Sequence, residues 1–244
     1  MSDGVIVMWN RWQLKENAKA VLRVSYWKAF WVSLIFVLIL GRDIFTFSFG
    51  GSDMQPLFNH FSPFVSLPIL TMLLSASVAS ALISILVFGP LEVGVQHYFL
   101  ESTQMRFNLE NVIRGFTGGR YRNVVITMLL RNIYNALWYL LLIIPGIVKS
   151  YSYTMVPFLL AENPGIPPSR ALEISITMTD SHKWQMFVLD LSFIGWFLLG
   201  MIPFGIGILF VNPYYHTTRA QLYVALRAIA LDRGIITLPE LEAY

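Results

Sequence analysis

Two charged residues inside otherwise apolar stretches are the strongest candidates for chemistry in this sequence. Arg131 interrupts the apolar stretch 124–144, and Asp190 interrupts the apolar stretch 184–202. A charge inside a membrane span is costly, and such residues usually face the interior of a helix bundle or a water-filled cavity. The sequence therefore predicts that both side chains point inward.

Polar residues accompany the arginine. Asn132 is its neighbour, and Asn135 lies four residues further on, which is one helical turn. At ~1.5 Å per residue, Arg131 and Asp190 lie about 13 and 10 Å from the inner ends of their spans, close enough in depth to pair. We predict a polar intramembrane binding site formed by Arg131, Asn132, Asn135 and Asp190.

Two interpretations of this predicted site remain open at the level of sequence. In the first, the residues line a polar cavity for an anionic headgroup, an ion or a proton. In the second, the two charges form a structural ion pair, or they extend toward the nearby inner surface of the membrane.

Other sequence patterns give little indication of a catalytic or metal-binding site. The chain has no cysteine and four scattered histidines, which are more typical of interfacial hydrogen bonding than of metal binding. Neither a nucleophile elbow nor a phosphate loop is present. We therefore expect no catalytic residues, no metal, no cofactor and no enzymatic activity.

The composition points to a membrane protein. Of the 244 residues, 56% are apolar and only 13% are charged, about half the usual share for a soluble domain. So few charges cannot form a polar shell around a globule of this size. The composition argues against a soluble enzyme and against a partner made of nucleic acid, and it favours an all-α, polytopic membrane helix bundle.

Six apolar stretches recur along the chain and predict about six transmembrane helices. They cover residues 29–41, 64–88, 124–144, 147–161, 184–202 and 204–215. We interpret the chain as a single membrane domain. It has a cytoplasmic or interfacial N-terminal helix in 1–28, a six-span bundle in 29–215, and a cytoplasmic C-terminal helix and tail in 216–244.

The distribution of basic residues orients the predicted spans. With both termini in the cytoplasm, 14 of the 17 lysines and arginines fall on the inner side, while Arg42 and Lys149 fall outside and Arg131 lies within a span. This bias follows the positive-inside rule. It predicts a multi-pass protein of the cell membrane.

A pattern that occurs three times suggests that the spans form three hairpins. Amphipathic segments at 14–24, 109–116 and 169–178 each precede an aromatic and basic break, and a pair of spans follows each break. The breaks are Tyr26-Trp27-Lys28, Arg120-Tyr121-Arg122 and His182-Lys183-Trp184. Aromatic and basic residues favour the headgroup level, so we expect the three segments to be interfacial helices.

Short motifs in the chain resemble a bacterial membrane family. They include Ile144-Pro145-Gly146-Ile147, Tyr153-Thr154-Met155-Val156-Pro157-Phe158 and Asn212-Pro213-Tyr214-Tyr215. The chain resembles the domain of unknown function 975 over most of its length, from about Leu14 to Leu226. The resemblance implies a multi-span bacterial membrane protein, and it carries over no catalytic residues.

Three hypotheses for function follow, of which an intramembrane enzyme ranks last because the sequence has neither a nucleophile and base set nor a metal spacing. The first is a non-enzymatic accessory, regulatory or scaffold protein that acts through membrane lipids, a membrane-protein partner or a second copy of itself. The alternative is a small transporter, or a lipid- or anion-binding protein, that uses the polar site around Arg131 and Asp190.

Overall fold

The computed structural model describes residues 9–40, 83–116, 120–202 and 205–241. Within these ranges the backbone is almost entirely helical, and no β-strand occurs in them. The prediction of an all-α protein is therefore confirmed for the described part of the chain. The α-helices are α1 (Arg11–Leu40), α2 (Gly89–Thr103), α3 (Tyr121–Leu141), α4 (Ile143–Ser152), α5 (Val156–Glu162), α6 (Pro168–Thr179), α7 (Lys183–Met201), α8 (Ile206–Asp232) and α9 (Leu238–Leu241).

The core forms around α2, which is buried along nearly its whole length. Its Tyr98 and Phe99 are fully buried, as are Phe158 of α5 and Tyr223 of α8. The rings of Phe158 and Tyr223 stack with their centroids 5.1 Å apart. Burying a large apolar side chain of this kind contributes about 1.5–3 kcal/mol, so these contacts hold α2, α5 and α8 together.

Three stretches within the described residues are long and apolar enough to cross a membrane: Tyr121–Leu141, Ile143–Glu162 and Pro168–Met201. They overlap the third, fourth and fifth predicted spans. The number of six spans and their arrangement as three hairpins stay predictions.

The other predicted spans have different outcomes. The first lies in the second half of α1, and the second, 64–88, lies mostly outside the described residues. The sixth, 204–215, covers only the beginning of α8, which continues as one helix to Asp232. The predicted segment boundaries at residues 28 and 215 fall inside α1 and α8.

The turns between the apolar helices expose large hydrophobic side chains. Leu140 and Ile144, at the junction of α3 and α4, are 85% and 76% exposed, and Ile202, after α7, is 76% exposed. Apolar surface on this scale is unusual in a water-soluble monomer and suits a lipid environment.

The helix breaks lie where the aromatic and basic residues predict them. In α1, Ser25 has non-helical dihedral angles (φ −144°, ψ 40°) next to the break predicted at Tyr26. Helix α3 begins at Tyr121, and α7 begins at Lys183 after a 3₁₀ turn at Asp180–His182. The third amphipathic segment forms α6, which presents residues such as Ile174 to the core.

The predicted interfacial helix at 109–116 is wrong, because the structure has only a 3₁₀ turn at Leu109–Ile113. This segment is pressed against α2 so closely that Gly94 and Gly115 have no room for a Cβ atom beside the backbone of Val112 and Pro90, respectively. The two glycines therefore allow this segment and α2 to pack closely together.

The break between the third and fourth spans is also displaced. The sequence predicts a stop at Pro145-Gly146, whereas the backbone is extended at Leu142 and Pro145 lies in the first turn of α4. Proline is tolerated there because the first amide groups of a helix have no partner within the helix. Gly146 permits the close approach, since a Cβ would lie 2.9 Å from Cγ of Tyr139.

Candidate functional site

Arg131 forms an ion pair with Glu92. Its Nη1 donates a hydrogen bond to Oε1 of Glu92 over 2.8 Å, joining the middle of α3 to the first turn of α2. Both side chains are less than one-fifth exposed. We refer to Arg131 and Glu92 as the Arg131 pair.

The two asparagines of the predicted site are arranged differently around this pair. Asn132 is exposed, whereas Asn135 is partly buried. The Nε atom of Arg131 and the Oδ1 atom of Asn135 are buried, and neither has a hydrogen-bond partner among the described residues. One hydrogen-bond donor and one acceptor on α3 are therefore left unsatisfied by the described residues.

Asp190 lies in a separate network that joins α4, α7 and α8. Its Oδ2 accepts hydrogen bonds from the Tyr151 hydroxyl at 2.9 Å and from Nη2 of Arg219 at 2.8 Å. The Arg219 side chain also donates to the Tyr215 hydroxyl at 2.8 and 3.0 Å. We call these four residues the Asp190 network; its two charged side chains are 21% and 13% exposed.

Arg131 and Asp190, whose similar depth would have allowed them to pair, do not pair with each other. Each has a different partner, because α2 brings Glu92 to α3, and α8 brings Arg219 to α7. The sequence predicts Arg219 on the inner side, since the sixth apolar stretch ends at residue 215. The continuous helix α8 carries it instead into contact with the fifth span.

A third cluster, formed by Glu162, Tyr223 and Arg227 and called the Glu162 cluster below, was not identified from the sequence. The carboxylate of Glu162, at the end of α5, accepts hydrogen bonds from the Tyr223 hydroxyl at 2.7 Å and from Nε of Arg227 at 3.0 Å. Burial, together with the nearby carboxylate, raises the pKa of Tyr223, so its hydroxyl stays protonated and donates.

A sequence pattern could have indicated both clusters. Tyr215, Arg219, Tyr223 and Arg227 are spaced by four residues, so they form one polar stripe along α8. The acceptors of that stripe, Asp190 and Glu162, lie on other helices, and nothing in the sequence says which helices face α8.

A polar cavity of about 350 Å³ lies beside the Glu162 cluster. Nε2 of His97 lies 3.0 Å from Nη1 of Arg114, so this ring nitrogen accepts and the imidazole is neutral. Burial, and then the charge of Arg114, lowers the pKa of His97. Glu101 and Arg106 also line the cavity, at 3.7 Å from each other.

These arrangements join helices and neutralise the two charges of the predicted site. Each span-embedded charge of the predicted site lies against an opposite charge, and the residues involved come from helices that are distant in sequence. In the described ranges no group of three or more histidine, aspartate or glutamate side chains is placed to hold a metal ion.

The fold and the exposed apolar turns define a helical protein with stretches able to span a membrane. Residues 140–230 match the model of a family described as a protein of unknown function (DUF975), which confirms the resemblance for that part of the chain. The matched segment contains the whole Asp190 network and the Glu162 cluster, while Arg131 and Glu92 lie outside it. The comparison with curated proteins gave no match, nor did the comparison with solved structures.

Proposed function

We propose that this chain is a non-enzymatic protein of the cell membrane that acts through contacts with lipids and partner proteins. The observation that carries the proposal is the neutralisation of Arg131 and Asp190 by Glu92 and Arg219, each at 2.8 Å. A substrate would have to displace Glu92 or Arg219 before it could bind either charge. In this chain the charges connect helices, as expected of a structural support.

The exposed apolar surfaces support the same proposal. The junction of α3 with α4 and the end of α7 present leucine and isoleucine side chains outward. In a bilayer these side chains contact acyl chains or the span of another protein. The proposed topology keeps both termini in the cytoplasm, with six spans and the basic residues mostly on the inner side.

One observation favours a second candidate, a small transporter or anion-binding protein with its site at Arg131. The buried Nε of Arg131 and Oδ1 of Asn135 lack partners among the described residues. A small anion or a water could accept a hydrogen bond from Nε, and a water could donate one to Oδ1, which would remove the cost of leaving these atoms unpaired.

Native mass spectrometry can separate the two candidates. We would purify the wild-type chain and the Arg131→Gln/Glu92→Gln double variant gently from their native membrane, and then identify the proteins and lipids that remain bound. The double replacement removes both charges and keeps hydrogen-bonding side chains, so a supporting role predicts the same bound partners in both samples. A small anion present on the wild type and lost from the double variant would favour the transporter and contradict the main proposal.

A further inference from the structure

Helices α1, α7 and α8 enclose an open groove of about 620 Å³ whose surface is mostly apolar. Helix α1 packs along α8, with the Tyr26 hydroxyl donating to the carbonyl oxygen of Phe210 at 3.1 Å. The groove volume lies in the range of about 300–1,000 Å³ that is typical of pockets for small-molecule ligands.

Two cations lie on the α1 side of this groove. Lys19 and Arg23 are one helical turn apart on α1, and both line the groove. Among the described residues, Lys19 forms an ion pair with Glu16 of its own helix and with no other residue, and this pair is exposed, so it contributes little. Arg23 forms no ion pair with any residue in the described part of the chain.

Aromatic side chains form the opposite wall. Trp196 of α7 is 54% exposed, and Phe210 and Tyr214 of α8 complete this side. Two further tryptophans of α1, Trp27 and Trp31, are also more than half exposed. Exposed tryptophans beside basic residues are typical of the level of lipid headgroups.

We propose that this groove binds one phospholipid with an anionic headgroup, such as phosphatidylglycerol. The phosphate lies between Lys19 and Arg23, and an acyl chain follows the apolar wall past Trp196 and Phe210. Charged side chains beside apolar helices are costly in a membrane unless they meet an opposite charge, and a lipid phosphate supplies that charge. The acyl chain meanwhile covers the apolar surface that the protein leaves open.

A second copy of the chain is a poorer occupant of the groove. Two copies that associate symmetrically through this face would bring the cations of both toward the same interface, and like charges at an interface are unfavourable. An anionic lipid has the opposite charge where the cations are and an apolar part where the aromatic wall is. The proposal rests on the proposed function only in requiring that the chain lies in a membrane.

The test uses the purified full chain titrated in detergent with dioleoyl phosphatidylglycerol or dioleoyl phosphatidylcholine, with bound lipids counted by native mass spectrometry. The wild type should bind the first phosphatidylglycerol more tightly than phosphatidylcholine. Lys19→Gln/Arg23→Gln should weaken that binding about 30-fold, as expected for the loss of two cations near a lipid phosphate. Val211→Trp, which fills the groove and keeps both cations, should also weaken it.

The matched control is Arg11→Gln/Arg233→Gln, which removes two exposed cations that do not line the groove. The control should keep wild-type affinity for phosphatidylglycerol. Equal weakening in the control, equal affinity for both lipids, or displacement of phosphatidylglycerol by millimolar inorganic phosphate would overturn the lipid site.

A separate measurement distinguishes failure of this proposal from failure of the proposed function. Wild type reconstituted in phosphatidylcholine vesicles should resist extraction with alkaline carbonate. Resistance without lipid selectivity overturns only the lipid site. Complete extraction overturns the membrane role and the lipid site together.

Discussion

Replacing Asp190 by asparagine should lower the free energy of unfolding by about 3 kcal/mol. The substitution keeps the shape of the side chain, and the asparagine oxygen can still accept from the Tyr151 hydroxyl. What it removes is the negative charge that faces Arg219. The guanidinium is then left largely buried with no anion beside it.

The magnitude follows from the geometry. Two unit charges 2.8 Å apart attract by about 6 kcal/mol at an effective dielectric constant of about 20. Part of that attraction offsets the desolvation of the two groups in the folded state. The cost of leaving one partner alone is therefore smaller than the attraction, within the range of about 3–5 kcal/mol typical of broken buried pairs.

The assay is reversible unfolding in mixed micelles, followed by far-UV circular dichroism. Asp190→Asn/Arg219→Gln should lie within about 1 kcal/mol of the wild type, because it removes both charges and leaves a neutral hydrogen-bonded pair. The matched control is Asp190→Asn/Arg131→Gln, which neutralises the arginine that the sequence alone suggested as the partner. It should be no more stable than Asp190→Asn.

Two results would refute this reasoning. If Arg131→Gln restores the stability of Asp190→Asn and Arg219→Gln does not, the ionic partners are assigned wrongly. If Asp190→Asn is as stable as the wild type, the network carries no net ionic stabilisation.

Three further predictions address packing, pH and lipid exposure. Gly94→Ala should lower the free energy of unfolding by about 2 kcal/mol, because the new Cβ would overlap the neighbouring backbone. Gly195→Ala, whose Cβ meets open space, should be neutral or stabilising. Equal effects of the two variants in the same unfolding assay would contradict the close packing at Gly94. Burial, and then the charge of Arg114, lowers the pKa of His97, so the unfolded chain binds the extra proton, and stability should fall as pH drops below about 6.5. A His97→Gln variant should lose that part of the pH dependence, and an unchanged unfolding profile would exclude the histidine as its source. Leu198→Asp should reduce carbonate-resistant membrane integration while Leu238→Asp should not, and equal integration of the two would argue against lipid contact at α7.

Much of the secondary structure could be predicted because it depends on local features of the chain. The apolar stretch 124–144, interrupted by Arg131, predicts a helix, since a helix satisfies its backbone hydrogen bonds internally in lipid, and α3 covers most of it. The basic and aromatic residues Arg120 to Arg122 predict the start of that helix, because such residues favour the headgroup level. Prediction was wrong at 109–116, where the chain forms a 3₁₀ turn that packs closely against α2.

The candidate site was predictable only in part. The position of Arg131 and Asp190 inside apolar stretches predicts that both charges face inward, because a charge on a lipid-facing surface is costly. It does not identify Glu92 or Arg219, which lie 39 and 29 residues away from their partners. Arg131 and Asp190 lie at similar depths in their spans, which suggested that they could pair. Depth along a helix does not say which other helix packs against it at that depth.

The sequence by itself determined the helical character of the chain, its apolar stretches and the residues within them that need a polar partner. These properties follow from hydrophobicity and from the 3.6-residue repeat, which act over a few turns of one helix. Only the tertiary structure decided that Glu92 meets Arg131, that Arg219 meets Asp190, and that α1 and α8 enclose a groove with two cations on one side. Those partners depend on how distant helices pack, because packing joins surfaces that no local pattern connects.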